Sequence, residues 1–337
     1  MKLTLEQIKS ITLGAIAVTE GDDGIEFHRF TPAQQQMYIN KREDFGYKSY
    51  AASGVKFCFK TDSQNLGIKM LLKNVRARSF FALEVFVNGQ RIGYINNFSE
   101  KDLPQYYSSK DFPVGEAEGS FDLGPGDKTV TVYLPWNKRT YLREFTLDDC
   151  AYIEPVRPGK KLLVFGDSIS QGYDALWPSR RHAGRIADAL DAEEINKAIG
   201  GERFCPDLAE LRDDFTPDYI LVAYGTNNYG ATTKAVFDDD MPAFFNNLYK
   251  NYPAVKTFVV TPVWRKHYAE ITEFGSFFDV EKCICQEVAD KENMILIPGF
   301  DLIPHDETLY GDQVLHPNDR GFDYYYENLL RKIKKYI

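Results

Sequence analysis

Four short motifs follow one another along the second half of this chain, and each falls where an apolar run gives way to a polar loop. They are Gly166-Asp167-Ser168-Ile169-Ser170, Gly200-Gly201, Gly225-Thr226-Asn227-Asn228 and His316-Pro317. Residues 162–165, 219–223, 257–260 and 294–297 are short, predominantly apolar runs, typical of strands of a parallel sheet buried on both faces. Residues 192–195 carry two glutamates, which assigns that segment to an edge if it is a strand. Ligands of open α/β sheets bind outside the carboxyl ends of the strands. A sheet of this kind therefore brings all four motifs to one place.

Between these runs the apolar residues recur with the helical period. Phe237, Met241, Phe244, Phe245 and Leu248 form one stripe, Phe277, Val280, Ile284 and Val288 a second, and Phe322, Tyr325, Tyr326, Leu329, Leu330 and Ile333 a third. Such stripes are core faces. Five strand-helix units predict a doubly wound parallel sheet of flavodoxin-like order.

The first half has a different texture. Residues 55–61, 66–72, 81–87, 91–95 and 129–134 read as short strands, with Asn88-Gly89 fitting a two-residue hairpin and Gly124-Pro125-Gly126-Asp127 a further turn. No periodic helix competes with them between Ile11 and Ile153. This half is expected to be an all-β, jelly-roll-like sandwich. Two prolines and a glycine in residues 154–161 break the strand pattern, giving a sandwich over 1–157 and an α/β domain over 158–337.

With 40 basic against 49 acidic residues, a formal charge of -9, the chain lacks the basic surface that nucleic acid demands. No apolar stretch approaches the length that crosses a membrane, and the first residues contain no signal-like run, so a cytoplasmic protein is expected. The 5 cysteines suggest neither a zinc site nor a disulfide framework and are expected to be small buried hydrophobes. Neither a metal nor a cofactor is called for.

Cleaving an ester needs an activated hydroxyl, a base for its proton and fixed donors for the oxyanion. Ser168 follows the first strand at a helix N-terminus, where backbone N–H groups point outward. Gly201 lets its backbone N–H approach a ligand without a Cβ in the way. Asn227 offers a side-chain N–H, and His316 is the histidine placed at the same edge by its own strand. Trp264 and Arg265, after the fourth strand, suit either an acyl-pocket wall or local packing. The α/β-hydrolase elbow is excluded because its second glycine is here Ser170, and no phosphate-binding loop is present.

Residues 166–170, 196–201, 225–227 and 316–318 resemble the four sequence blocks of the SGNH (GDSL) hydrolase superfamily. That resemblance implies Ser168 as nucleophile, the Ser168 amide with Gly201 and Asn227 as oxyanion hole, and His316 as base. The superfamily places an aspartate three residues before the histidine; here that residue is Gln313, and Asp312 lies four before. Asp312, Gln313 or a backbone carbonyl could orient His316. A β-sandwich ahead of such a domain is similar in arrangement to family 2 carbohydrate esterases. The expected substrate is thus a small O-acyl ester, acetylated carbohydrate foremost. Acyl transfer by the same acyl-enzyme and an inactive carbohydrate-binding relative are the alternatives. Oligomeric state is not legible.

Overall fold

A computed structural model describes residues 1–99, 101, 103, 107 and 110–337. Its second half is a five-stranded parallel sheet in the order Ala192–Asn196, Lys160–Gly166, Tyr219–Ala223, Lys256–Val260, Met294–Ile297. Sequence order reverses next to the Lys160–Gly166 strand, the switch point at which open sheets bind ligands. The helices Lys234–Asn251, Phe277–Val288 and Asp319–Ile333 turn their apolar stripes onto the sheet. Within the third stripe Tyr326 and Leu330 are half-buried at its border.

The first half is a sandwich of two antiparallel sheets. One joins Thr12–Leu13, Lys56–Thr61, Lys128–Tyr133, Ala82–Val87 and Gln90–Asn96, with Glu154–Pro155 added beside Lys56–Thr61. The other joins Ala17–Gly21, Gly24–His28, Lys138–Leu147, Asn65–Asn74 and Glu116–Asp122. Their inner faces close over Phe57, Phe59, Leu83, Val130, Val132 and Phe145. Asn88 and Gly89 both take positive φ, 49° and 80°, as a two-residue hairpin with the native strand twist requires.

The expectation that this half contains no helix is corrected. Pro32–Lys41 and Glu43–Lys48 are helical, and Leu5–Ile11 precedes the region. The clue was chemical rather than periodic. Thr31 accepts from the Gln34 amide while the Gln34 side chain accepts from the Thr31 amide, a reciprocal cap. No stripe announced these helices because together they bury only Gln34, Tyr38, Phe45 and Gly46. Tyr38 and Phe45 pack with Ile195, Ile199, Phe204 and Leu208 of the other half, so tertiary contact stabilises these helices. The cysteine expectation also needs correction: all five are free, but Cys205 alone is buried and Cys150 is exposed.

Ala192–Asn196 is an edge strand, yet Glu193 and Glu194 are buried because the sandwich covers the edge. Glu193 accepts from the Gly14 amide at 2.8 Å, and Glu194 receives both arms of the Arg181 guanidinium at 2.9 and 2.8 Å. Just beyond the strand, Lys197 is fully buried and donates to the Arg29 carbonyl, Gln34 and Asp213. Arg29 in turn reaches the carbonyls of Ala51, Asn196 and Ala198. Each of these buried charges is held by several hydrogen bonds that offset its desolvation, although Arg29 Nη2 and Arg181 Nε find no partner among the described residues. The junction of the halves is a polar lattice set in an apolar surround.

Candidate active site

The Lys160–Gly166 strand ends in a tight turn whose shape explains its residues. A Cβ at Gly166 would stand 2.4 Å from Ser170 Oγ, so only glycine fits. Asp167 caps the short helix Ser168–Gln171 by accepting from the Ile169 amide at 2.9 Å. Burial raises the Asp167 carboxyl to about 6. Ser168 opens this helix, where backbone N–H groups have no intrahelical partner. Its hydroxyl lies 2.9 Å from His316 Nε2.

His316 belongs to a closed loop. Tyr310 pairs with Pro317, and the Gly311 amide donates to the His316 carbonyl at 2.8 Å. Inside the loop Gln313 takes φ 56°, a left-handed residue that adds one position and brings Asp312 against the imidazole. Asp312 Oδ2 lies 2.6 Å from His316 Nδ1. Its Oδ1 accepts from the amides of Val314, Leu315 and His316 at 2.9, 2.8 and 3.0 Å. Burial works to raise this carboxyl, but the His316 contact and the Leu315 and Val314 amides outweigh it and hold Asp312 well below the usual range. Of the three orienting groups open to the sequence, the structure presents Asp312.

Gly201 and Asn227 come to the same edge. Gly201 has φ 86°, and its neighbour Gly200 donates to Gln171 Oε1 at 2.7 Å, tying this loop to the helix that Ser168 opens. Asn227 lies in the helix Thr226–Ala231 and gives one Nδ2 hydrogen to the Glu202 carbonyl at 2.9 Å, leaving its second free to point elsewhere. The loops of Ser168, Gly201 and Asn227 are thereby bonded to one another, which is the rigidity an oxyanion site needs.

Of the two roles open to Trp264, pocket wall or local packing, the structure shows the packing: the residue is 6% exposed, its ring stacked on His305 and against Tyr310, whose hydroxyl donates to the Trp264 carbonyl. Arg265 stays at the site. Its Nη1 donates to the Thr226 carbonyl at 3.1 Å, and among the described residues it makes no ion pair. Burial lowers the affinity of its guanidinium for the proton, while Tyr229 and Asp312 act the other way.

Sequence reasoning missed the residues that the first half contributes. Arg42 and Phe45 lie 3.6 Å from where a Gly201 Cβ would stand, and Lys48 Nζ donates to the Gly200 carbonyl. Arg78 reaches Asp174 beside the histidine. No local pattern marks these side chains; only the docking of the two halves makes them neighbours. Tyr173 carries a faint signal in Gly200, where a Cβ would lie 2.4 Å from its hydroxyl.

Residues 164–324 match the family described as GDSL-like Lipase/Acylhydrolase. An arylesterase of Vibrio mimicus is 27% identical over 191 residues, spanning 53% of this chain and 90% of its own length. Among solved structures, a salicylyl-acyltransferase from a tetracycline biosynthetic pathway is similar over 96% of this chain and 94% of its own, with TM-score 0.79 and 20% identity. A family two carbohydrate esterase from Clostridium thermocellum, in complex with cellohexaose, covers 84% and 92% with TM-score 0.62 and 15% identity. At these identities the structural likenesses establish the arrangement of a sandwich before an α/β sheet. The family match falls on the part of the chain that carries all four motifs, so its α/β half is of the GDSL-like lipase/acylhydrolase (SGNH hydrolase) kind.

Proposed function

We propose that the chain is a serine esterase that hydrolyses small O-acyl esters, O-acetyl groups on carbohydrate foremost, with residues 1–157 as the sandwich and 158–337 as the catalytic domain. The observation that carries this reading is the continuous relay from Asp312 through His316 to Ser168, at 2.6 and 2.9 Å. His316 Nε2 takes the Ser168 proton as Oγ attacks the acyl carbonyl. Asp312 holds the tautomer that leaves Nε2 free and stabilises the imidazolium that forms. The amides of Ser168 and Gly201 and the second Nδ2 hydrogen of Asn227 receive the oxyanion. His316 then returns the proton to the leaving alcohol, and water repeats the cycle on the acyl-enzyme.

The carbohydrate assignment is supported by likeness to an esterase held in complex with cellohexaose. A second reading, acyl transfer, draws support from the full-length likeness to a salicylyl-acyltransferase. Two measurements test them. Turnover of p-nitrophenyl acetate that vanishes in Ser168→Ala establishes the nucleophile; turnover that survives sinks the proposal. Product analysis with acetylated oligosaccharides and added acceptor alcohols then separates hydrolysis from transfer.

A further inference from the structure

His316 faces more charge than a lone triad partner. Besides Asp312 on its own loop, Asp174 follows the nucleophile helix, and acceptor atoms of Asp174, Asp312 and His316 lie within 4.8 Å of one another. Arg78, from the sandwich, touches all three. Its Nε donates to Asp174 Oδ1 at 2.5 Å and its Nη2 to Asp174 Oδ2 at 3.3 Å. The same Nη2 stands 3.4 Å from His316 Nδ1 and 3.9 Å from Asp312 Oδ2. An Nδ1 that donates to Asp312 cannot also accept from Arg78, so that approach is purely electrostatic.

We propose that Arg78 is a positioning residue of the catalytic site: its guanidinium occupies Asp174 and neutralises it, so that His316 works against the net charge of a single carboxylate, Asp312. This rests on the catalytic reading of Ser168 and His316. Without Arg78, two carboxylates would compete for one Nδ1 hydrogen. With it, Asp174 has its bidentate partner, and the imidazole keeps the orientation that aims Nε2 at Ser168.

The contact is a built one. Asp174 is fully buried, and the Arg78 side chain is 15% exposed. The Arg78 carbonyl accepts from Asn137 Nδ2 at 3.0 Å and from the buried Lys138 Nζ at 2.6 Å, while Asn137 also holds the Phe80 carbonyl. The guanidinium lies over Tyr173, whose ring also meets the His316 imidazole at 5.3 Å between centroids. The remaining charges acting around the site are Asp167, behind the nucleophile, and Arg265, which feels both Asp167 and Asp312. Neither touches Arg78.

The test is the pH dependence of kcat/KM for p-nitrophenyl acetate in the full chain. In Asp174→Asn the Arg78 charge loses its partner and bears on His316 undiluted, so the acid limb should move to lower pH by about one unit, the effect of one charge at this range. Adding Arg78→Gln to that variant removes the excess charge and should return the limb to its wild-type position. Coincident limbs in the single and double variants would overturn the proposal, because Arg78 would then be mere packing. Should the double variant fail to fold, the single variant decides alone: a limb that stays at the wild-type pH overturns it. A wild-type protein without Ser168-dependent turnover would fail the catalytic reading instead, which keeps the two apart.

Discussion

The turn that carries Ser168 and the loop that carries His316 meet at 2.9 Å, yet they are held by different means. The serine turn is assembled from its own neighbours: Gly166 makes room, Asp167 caps, and the helix begins at Ser168. The histidine loop has a local part, in which Asp312 accepts three amides and the imidazole, and a distant part, in which Arg78 arrives from the other half of the chain. The difference separates two tasks. Presenting a nucleophile is a matter of backbone shape, whereas setting the charge around a base depends on every carboxylate and guanidinium within a few ångströms.

The comparison can be broken at its strongest point first. Ser168→Ala should lower acetyl-ester turnover by on the order of a millionfold with an unchanged melting temperature. A folded variant with near-wild-type rate would remove the serine turn from the chemistry altogether. On the histidine side, Asp312→Ala should cost about ten-thousandfold in kcat, as loss of a triad acid does, while Gln313→Ala should cost far less, since it leaves the Asp312 carboxylate beside the imidazole. A loss under about tenfold in the Asp312 variant would mean that a Ser-His dyad suffices.

Asn227→Ala should lower kcat by about a hundredfold to a thousandfold and leave KM nearly unchanged, since the oxyanion exists only in the transition state. A raised KM at constant kcat would make Asn227 a substrate-binding residue. The smallest effect is on stability. Burial lowers the Lys138 ammonium to about 7 from the 10.5 of an ordinary lysine. Between these values the unfolded chain holds a proton that the folded one releases, so this group makes stability rise with pH across that window; below about 7 both states hold the proton and the burial penalty is complete. The melting temperature of wild type relative to Lys138→Met should therefore climb from pH 7 toward 10 and be flat below. Parallel curves would show that Lys138 titrates as an ordinary exposed lysine.

What the sequence disclosed follows the same division. The α/β half announced itself because its strands are buried on both faces and its helices on one, so composition and period report position directly. Ser168, Gly201, Asn227 and His316 were readable since each lies at a strand end, where topology fixes location. Asp312 was ambiguous in the sequence because a one-residue bulge depends on the φ of Gln313, which glutamine does not advertise. Arg78 and Asp174 were illegible because each is the other's partner across the two halves, and Arg42 and Lys48 because their own partner Asp44 is local and only docking brings them to the Gly200-Gly201 loop. The helices over Pro32–Lys41 and Glu43–Lys48 were missed for a related reason: their few buried residues complete a surface formed elsewhere.

The covered edge of the parallel sheet has a practical consequence for anyone who would treat the halves as exchangeable parts. Cutting the chain near residue 157 would strip Gly14 from Glu193, the Arg29 carbonyl and Gln34 from Lys197, and Tyr38 and Phe45 from the apolar face they cover. The fragment would present an unprotected β-edge beside a greasy hollow, the recipe for self-association. Grafting a foreign binding module in place of the sandwich invites the same outcome unless the graft reproduces that seam.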